Sequence, residues 1–244
     1  CSSDLLIGLV FSHFNSEDYV NMNRLDNTVV RAQPSALSTN KVLRNTYMLL
    51  SMTLLFSALT AGLSMTIAVS PTASMISSLG ALALIWLVLP RTANSGMGIV
   101  VVFAVAGLLG FGLGPLLSHY LSMPNGSQVV GTALGGTGIV FLSLSGYALT
   151  SRRDFSFMGG FLFAGLIVVL VAMIANIFLA IPALSLALSA AIVMLMSGLI
   201  LFDTRRIING GETNYINATV SLYLSIYNLF VAMLQLLGAF SGDD

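Results

Sequence analysis

The sequence predicts an all-α integral membrane protein that crosses the bilayer seven times, and three observations carry that prediction. Of its 244 residues, 57% are hydrophobic and only 7% charged, with a mean hydropathy of +0.96; soluble domains carry about a quarter charged residues. Seven apolar stretches, each near the ~20 residues that a helix needs to cross a bilayer, divide the chain. All nine Lys and Arg residues then fall on one side: Arg24, Arg31, Lys41 and Arg44 before the first stretch, Arg91 after the second, Arg152 and Arg153 after the fourth, Arg205 and Arg206 after the sixth. This asymmetry follows the positive-inside rule. The N-terminus is therefore expected in the cytoplasm, and an odd number of spans sends the C-terminus, ending Asp243-Asp244, to the other side.

Residues 1–46 are rich in Asp, Asn, Ser, Glu and Arg and show no lasting apolar period, which predicts a flexible cytoplasmic tail. Leu5 to Phe11 is apolar but short, follows Asp4 instead of a basic segment, and lacks a small-residue cleavage site, so it does not read as a signal peptide. The spans are placed at Tyr47 to Val69, Ser74 to Leu89, Met97 to Leu117, Val129 to Leu149, Met158 to Ala180, Leu184 to Phe202 and Tyr215 to Phe240, with residues 241–244 as a short non-cytoplasmic end. Short uncharged turns at Ser70-Pro71, Tyr120 to Asn125 and Ile181-Pro182 join them on the non-cytoplasmic side.

Small residues punctuate the third and fourth spans. Gly110 and Gly114 form one GxxxG spacing, Gly131 and Gly135 another, and such spacings let helix backbones approach closely where lipid gives no hydrophobic drive for association. Gly114-Pro115 should bend the third span, because proline lacks the backbone donor and clashes with the preceding turn. In the seventh span Asn214, Ala218, Ser221, Ser225, Asn228, Ala232, Gln235 and Ala239 recur at alternating spacings of four and three. A small and polar stripe of this kind is ill suited to lipid, so the seventh helix is expected inside the bundle. Its stripe fits either a close-packed hydrogen-bonded seam or a polar pathway for ions or protons.

Asp203, in Leu201-Phe-Asp-Thr-Arg-Arg206, is the carboxylate nearest membrane depth, where a charge costs at least a few kcal/mol. Two readings fit it: an interfacial cap paired with Arg206 one turn on, or a proton- or cation-responsive group facing Ser225 and Asn228. Asn176 within the fifth span and Gln235 within the seventh read as hydrogen-bonding glue between helices, worth on the order of 1 kcal/mol each.

Other function classes lack their apparatus. A net charge of zero and dispersed basic residues argue against nucleic acid. A single cysteine, Cys1, excludes disulfides within the chain and cysteine zinc sites, and His13 and His119 both lie outside the spans, so no cofactor is expected. Ser143-Leu-Ser-Gly146 has no transmembrane His to act as its base, and the only Lys, Lys41, precedes the first span. Enzymatic catalysis is not expected.

Several segments taken together resemble the Bax inhibitor family: Gly107-Leu-Leu-Gly-Phe-Gly-Leu-Gly-Pro115, Gly131-Thr-Ala-Leu-Gly-Gly136, Arg152-Arg-Asp-Phe-Ser-Phe-Met-Gly-Gly160, Leu201-Phe-Asp-Thr-Arg-Arg206 and Leu222-Tyr-Leu-Ser-Ile-Tyr-Asn-Leu-Phe230. Ser38-Thr-Asn-Lys-Val-Leu-Arg-Asn-Thr-Tyr47 and Gly210-Gly-Glu-Thr-Asn-Tyr-Ile216 look closest to its bacterial YccA-like branch. The resemblance implies six helices around a central seventh. It implies two functions. Some members are pH-sensitive calcium leaks gated by a pair of carboxylates, of which Asp203 matches the first while the second position is Ser225 here. The YccA-like branch instead modulates FtsH, a membrane-anchored AAA protease of the bacterial inner membrane, and is itself its substrate. The favoured expectation is therefore an inner-membrane modulator of FtsH whose tail, with Met22, Arg24, Arg31 and Pro34, is the segment gripped; a calcium or proton leak is the alternative. The resemblance also suggests a natural start at Met22, with residues 1–21 foreign to the protein.

Overall fold

The computed structural model describes residues 36–151, 155 and 157–241. Met22, Arg24, Arg31, Pro34, Arg152, Arg153 and the last three residues lie outside the described residues. Seven helices, each long and apolar enough to cross a membrane, make up the described chain: α1 Ala36–Thr66, α2 Pro71–Thr92, α3 Met97–Leu121, α4 Gly126–Thr150, α5 Met158–Leu179, α6 Pro182–Ile208 and α7 Tyr215–Ser241.

Local chemistry sets most of the boundaries. α1 begins at Ala36, well ahead of the Tyr47 expected from hydropathy, because nothing after Pro34 interrupts a helix and because Thr46 packs into the bundle, its carbonyl accepting from the Thr219 hydroxyl at 3.4 Å. α2 starts on Ser70, whose hydroxyl accepts from the Ala73 amide at 3.3 Å, with Pro71 in the first turn. Pro90 then denies Trp86 its usual helical donor, and the turn just before it, Leu84–Val88, widens to a π-helix.

The bend expected at Gly114-Pro115 is present. α3 breaks at Leu113, whose amide closes a tight turn onto the Gly110 carbonyl at 3.0 Å. The α2 hydroxyls cover the interruption, since Ser74 donates to the Gly112 carbonyl and Ser77 donates to Leu108 at 2.7 Å. Hydroxyls from a neighbouring helix replace the missing partners of a broken helix where no water reaches it.

Burial differs sharply among the helices and identifies the centre. Half of the most apolar window is buried in α3 and in α7, against 11% in α5. α7 packs against α1, α3, α4 and α6, while α2 stands behind α3 and α5 behind α6. Leu222, Tyr223, Leu229, Ala232 and Leu234 of α7 are almost completely enclosed, whereas Trp86, Phe178 and Met194 on the outer helices face outward, as lipid-contacting side chains do.

Candidate functional site

The ends of α1, α2, α4 and α6 that carry or adjoin basic residues meet at one end of the bundle, next to the start of α7. Asn214 fastens this end: its Oδ1 accepts from the Ile216 amide at 2.9 Å and so caps α7. Its Nδ2 donates to the Ala93 carbonyl and to Asn94 Oδ1, both at 2.9 Å, on the turn between α2 and α3.

Asp203 lies just inside this basic end, only 7% exposed. The Ser221 hydroxyl donates to Asp203 Oδ2 at 2.5 Å. Arg206, Glu212 and Asn217 complete a cavity of about 20 Å³, room for about one water. Arg206 and Glu212 are 3.5 Å apart, and the Glu212 carboxylate also accepts from the Asn214 amide at 2.9 Å.

This geometry differs from the expected Asp203, Ser225 and Asn228 grouping. α6 and α7 run antiparallel from a short turn, so a residue near the end of α6 reaches the first turns of α7, where Ser221 stands. Ser225 is buried one turn further along, and Asn228 is exposed, its Nδ2 donating at 2.8 Å to Leu224 on its own helix. Part of the stripe does face α6. Besides Ser221, Gln235 meets that helix through its Oε1, which accepts from the Ser189 hydroxyl at 2.8 Å.

Asn176 occupies the last turn of α5, nearer the turn than the middle of the membrane. Its Nδ2 donates to Ser185 of α6 at 2.7 Å, and its Oδ1 accepts from the Ile181 amide at 3.2 Å. The amide thus caps the turn as well as joining two helices.

The two GxxxG pairs also part company. A methyl group at Gly110 would overlap the Ser57 carbonyl and the Thr60 hydroxyl, and one at Gly114 would overlap Ser64, so α3 sits directly on α1. At Gly131 and Gly135 nothing lies within 4 Å of where a Cβ would stand. Among the described residues these two glycines seat no neighbouring helix, because they look outward from α4.

Two contacts that join helices were not legible in the sequence. Arg205, assigned only to topology, is buried and donates through Nη1 to the carbonyls of Ala148 at 3.2 Å and Ser151 at 2.7 Å, binding α6 to the end of α4. The signal was its adjacency to Arg206, since neighbours on a helix point about 100° apart and cannot serve one partner. Tyr223, which lies off the polar stripe of α7, is 2% exposed. Its hydroxyl shares a 2.7 Å hydrogen bond with Ser57 of α1 and donates to the Ala106 carbonyl of α3 at 3.3 Å, so three helices meet on one phenol.

Residues 39–242 match the family model described as inhibitor of apoptosis-promoting Bax1. The chain belongs to the Bax inhibitor family. A relative in Escherichia coli K12, named modulator of FtsH protease YccA, is 54% identical over 209 residues, covering 86% of this chain and 94% of the relative. An uncharacterized membrane protein of Vibrio cholerae is 51% identical over 208 residues, 85% and 93% of the two chains. An uncharacterized protein of Pseudomonas aeruginosa is 46% identical over 203 residues, 83% and 91%. In this member of the Bax inhibitor family, the α7 position to which the resemblance assigns a second carboxylate is the buried Ser225, and Asp203 takes its hydrogen bond from Ser221 instead.

Proposed function

We propose that this protein modulates an FtsH-type AAA protease in a bacterial inner membrane, with its basic end and its N-terminal tail in the cytoplasm. The observation that carries the reading is the 54% identity, sustained over 94% of the relative, to a protein named modulator of FtsH protease. The physical rationale joins a handle to a body that resists pulling. A AAA ring needs an unstructured segment to grip, and residues 22–35, with Met22, Arg24, Arg31 and Pro34, would supply it on the side of the nine basic residues. The bundle then resists extraction, because α7 is enclosed by four helices and tied to them by buried hydrogen bonds. A protease occupied by such a client is slowed on its others.

The test is purification of the intact protein from bacterial membranes in mild detergent. An FtsH-type protease should copurify, and raising the protein's level should lengthen the lifetimes of other membrane substrates. Absence of the protease from the eluate, together with unchanged lifetimes, would sink the proposal. A pH-gated calcium or proton leak has weaker support, because Asp203 is bonded to a serine hydroxyl and stands in a cavity of about 20 Å³.

A further inference from the structure

We infer that a slot between α1 and α4 is a binding site for one acyl chain of a membrane phospholipid. The two helices approach through the rings of Tyr47 and Phe141, whose centroids are 6.0 Å apart. Beyond this contact, toward the uncharged end, a cavity of about 460 Å³ opens between them. Its walls are Leu54 to Met65 of α1 and Val130 to Phe141 of α4, and its floor is formed by α3 and α7. The slot therefore runs from the bundle surface inward to the central helix.

Length, polarity and volume together select the occupant. Each wall extends about 17 Å at ~1.5 Å rise per residue, roughly half of a hydrocarbon core of about 30 Å. The slot thus has the depth of one leaflet, on the side of the turns after α1 and α3. Water is a poor occupant, since the walls are almost wholly apolar and three of the four hydroxyls in the lining are engaged, Ser57 with Tyr223 at 2.7 Å and Thr137 with the Ala133 carbonyl at 2.7 Å, which leaves the Tyr227 phenol at the floor. An ordered water needs about two to four polar partners, and a cavity that offers fewer takes apolar guests. A partner helix about 10 Å across would displace roughly 1,300 Å³ over the same length, well beyond the 460 Å³ available. A helix can rest over the mouth, but only a thread of methylene groups can enter, and there it restores the dispersion contacts that an empty slot forfeits.

Glycine keeps the slot open on both walls. Gly62 of α1 and Gly138 of α4 line it, and nothing stands within 4 Å of where either would carry a Cβ. The guest would lie against Tyr223 and Tyr227, the former being the phenol that joins α1, α3 and α7. Lipid composition would then bear directly on the centre of the bundle.

The experiment uses the full chain in bacterial membrane vesicles supplied with a phosphatidylethanolamine that carries a diazirine midway along one acyl chain. After illumination, peptides containing Met65 and Leu134 should be labelled. Gly138→Leu and Gly62→Leu should each reduce that label at least five-fold. Gly146→Leu, which also enters open space but lies outside the slot, should leave it unchanged. Two substitutions on different helices guard against one that misfolds, and retained melting temperatures establish that both variants fold. Equal labelling in all three variants, or crosslinks from the slot to a second protein chain in place of lipid, would overturn the inference.

Discussion

A carboxylate buried near the end of a transmembrane helix survives only with donors at hand, and at Asp203 the nearest is Ser221. Removing the two partners should therefore have unequal effects. Asp203→Asn keeps an acceptor for the Ser221 hydroxyl and removes the charge, so insertion should be intact and the loss of stability modest. Ser221→Val leaves the carboxylate without its hydrogen bond and should cost about 1–3 kcal/mol; thermal unfolding in detergent ranks the two, and a larger loss for Asp203→Asn would refute the ordering. The glycines permit a sharper comparison, because the sequence spacing is the same in both pairs. Gly110→Ala forces a methyl group against the Ser57 carbonyl and should cost about 1–3 kcal/mol by overpacking. Gly135→Ala meets open space and should be neutral or stabilise by up to ~1 kcal/mol through helix propensity. Spacing identified all four glycines as able to seat a neighbour; which of them do so is set by the direction each helix faces, and that depends on every other helix. The same limit hid the partner of Asp203, since a polar stripe gives its own period but not the register at which an antiparallel neighbour crosses it.

At the scale of elements, the irregularities differ in how well their residues announce them. The break in α3 was legible because Gly114-Pro115 removes a donor inside an apolar run. The π turn ahead of Pro90 was not, since proline near a helix end is equally compatible with simple termination. The early start of α1 escaped for another reason: hydropathy locates the part of a helix in lipid, not the turns that continue past it. Among the described residues two helix ends, after α1 at Ala68 and after α5 at Ala180, place an alanine in the left-handed region, and the second is open to test. α5 ends on Ala180 in the left-handed region, with φ 48°, and its amide donates to the Asn176 carbonyl at 2.8 Å. An alanine there costs about 1–2 kcal/mol that glycine avoids. Ala180→Gly should accordingly raise the unfolding free energy by about 1 kcal/mol, and an unchanged or lowered melting temperature would count against the strain.

For the whole molecule, the number of spans was the most legible property because apolar length acts over the entire chain and needs no partner coordinates. The described basic residues Lys41, Arg44, Arg91, Arg205 and Arg206 do sit at helix ends on one side of the bundle. The proposed handle is tested at the same scale. Deleting residues 22–35 leaves all seven helices in place, since α1 begins at Ala36, so the shortened protein should insert normally yet persist longer in cells that contain the protease. Equal turnover of the shortened and full-length chains, at matched insertion, would move the interaction from the tail to the bundle.

The phenol shared by α1, α3 and α7 has a mechanical consequence. A motor pulling from the amino end loads α1 first, and α1 holds one partner of that phenol together with the seats of Gly110 and Gly114. The largest rupture force should therefore come at the very beginning of extraction, with weaker events for outlying helices such as α2 and α5. Single-molecule stretching from the N-terminus measures this directly: a highest first peak, lowered in Tyr223→Phe, is expected, whereas a first peak below the later ones would show that the load bypasses the joint. A ratchet that meets its steepest step before advancing slips back to the start, so each grip is a long stall instead of a committed stroke.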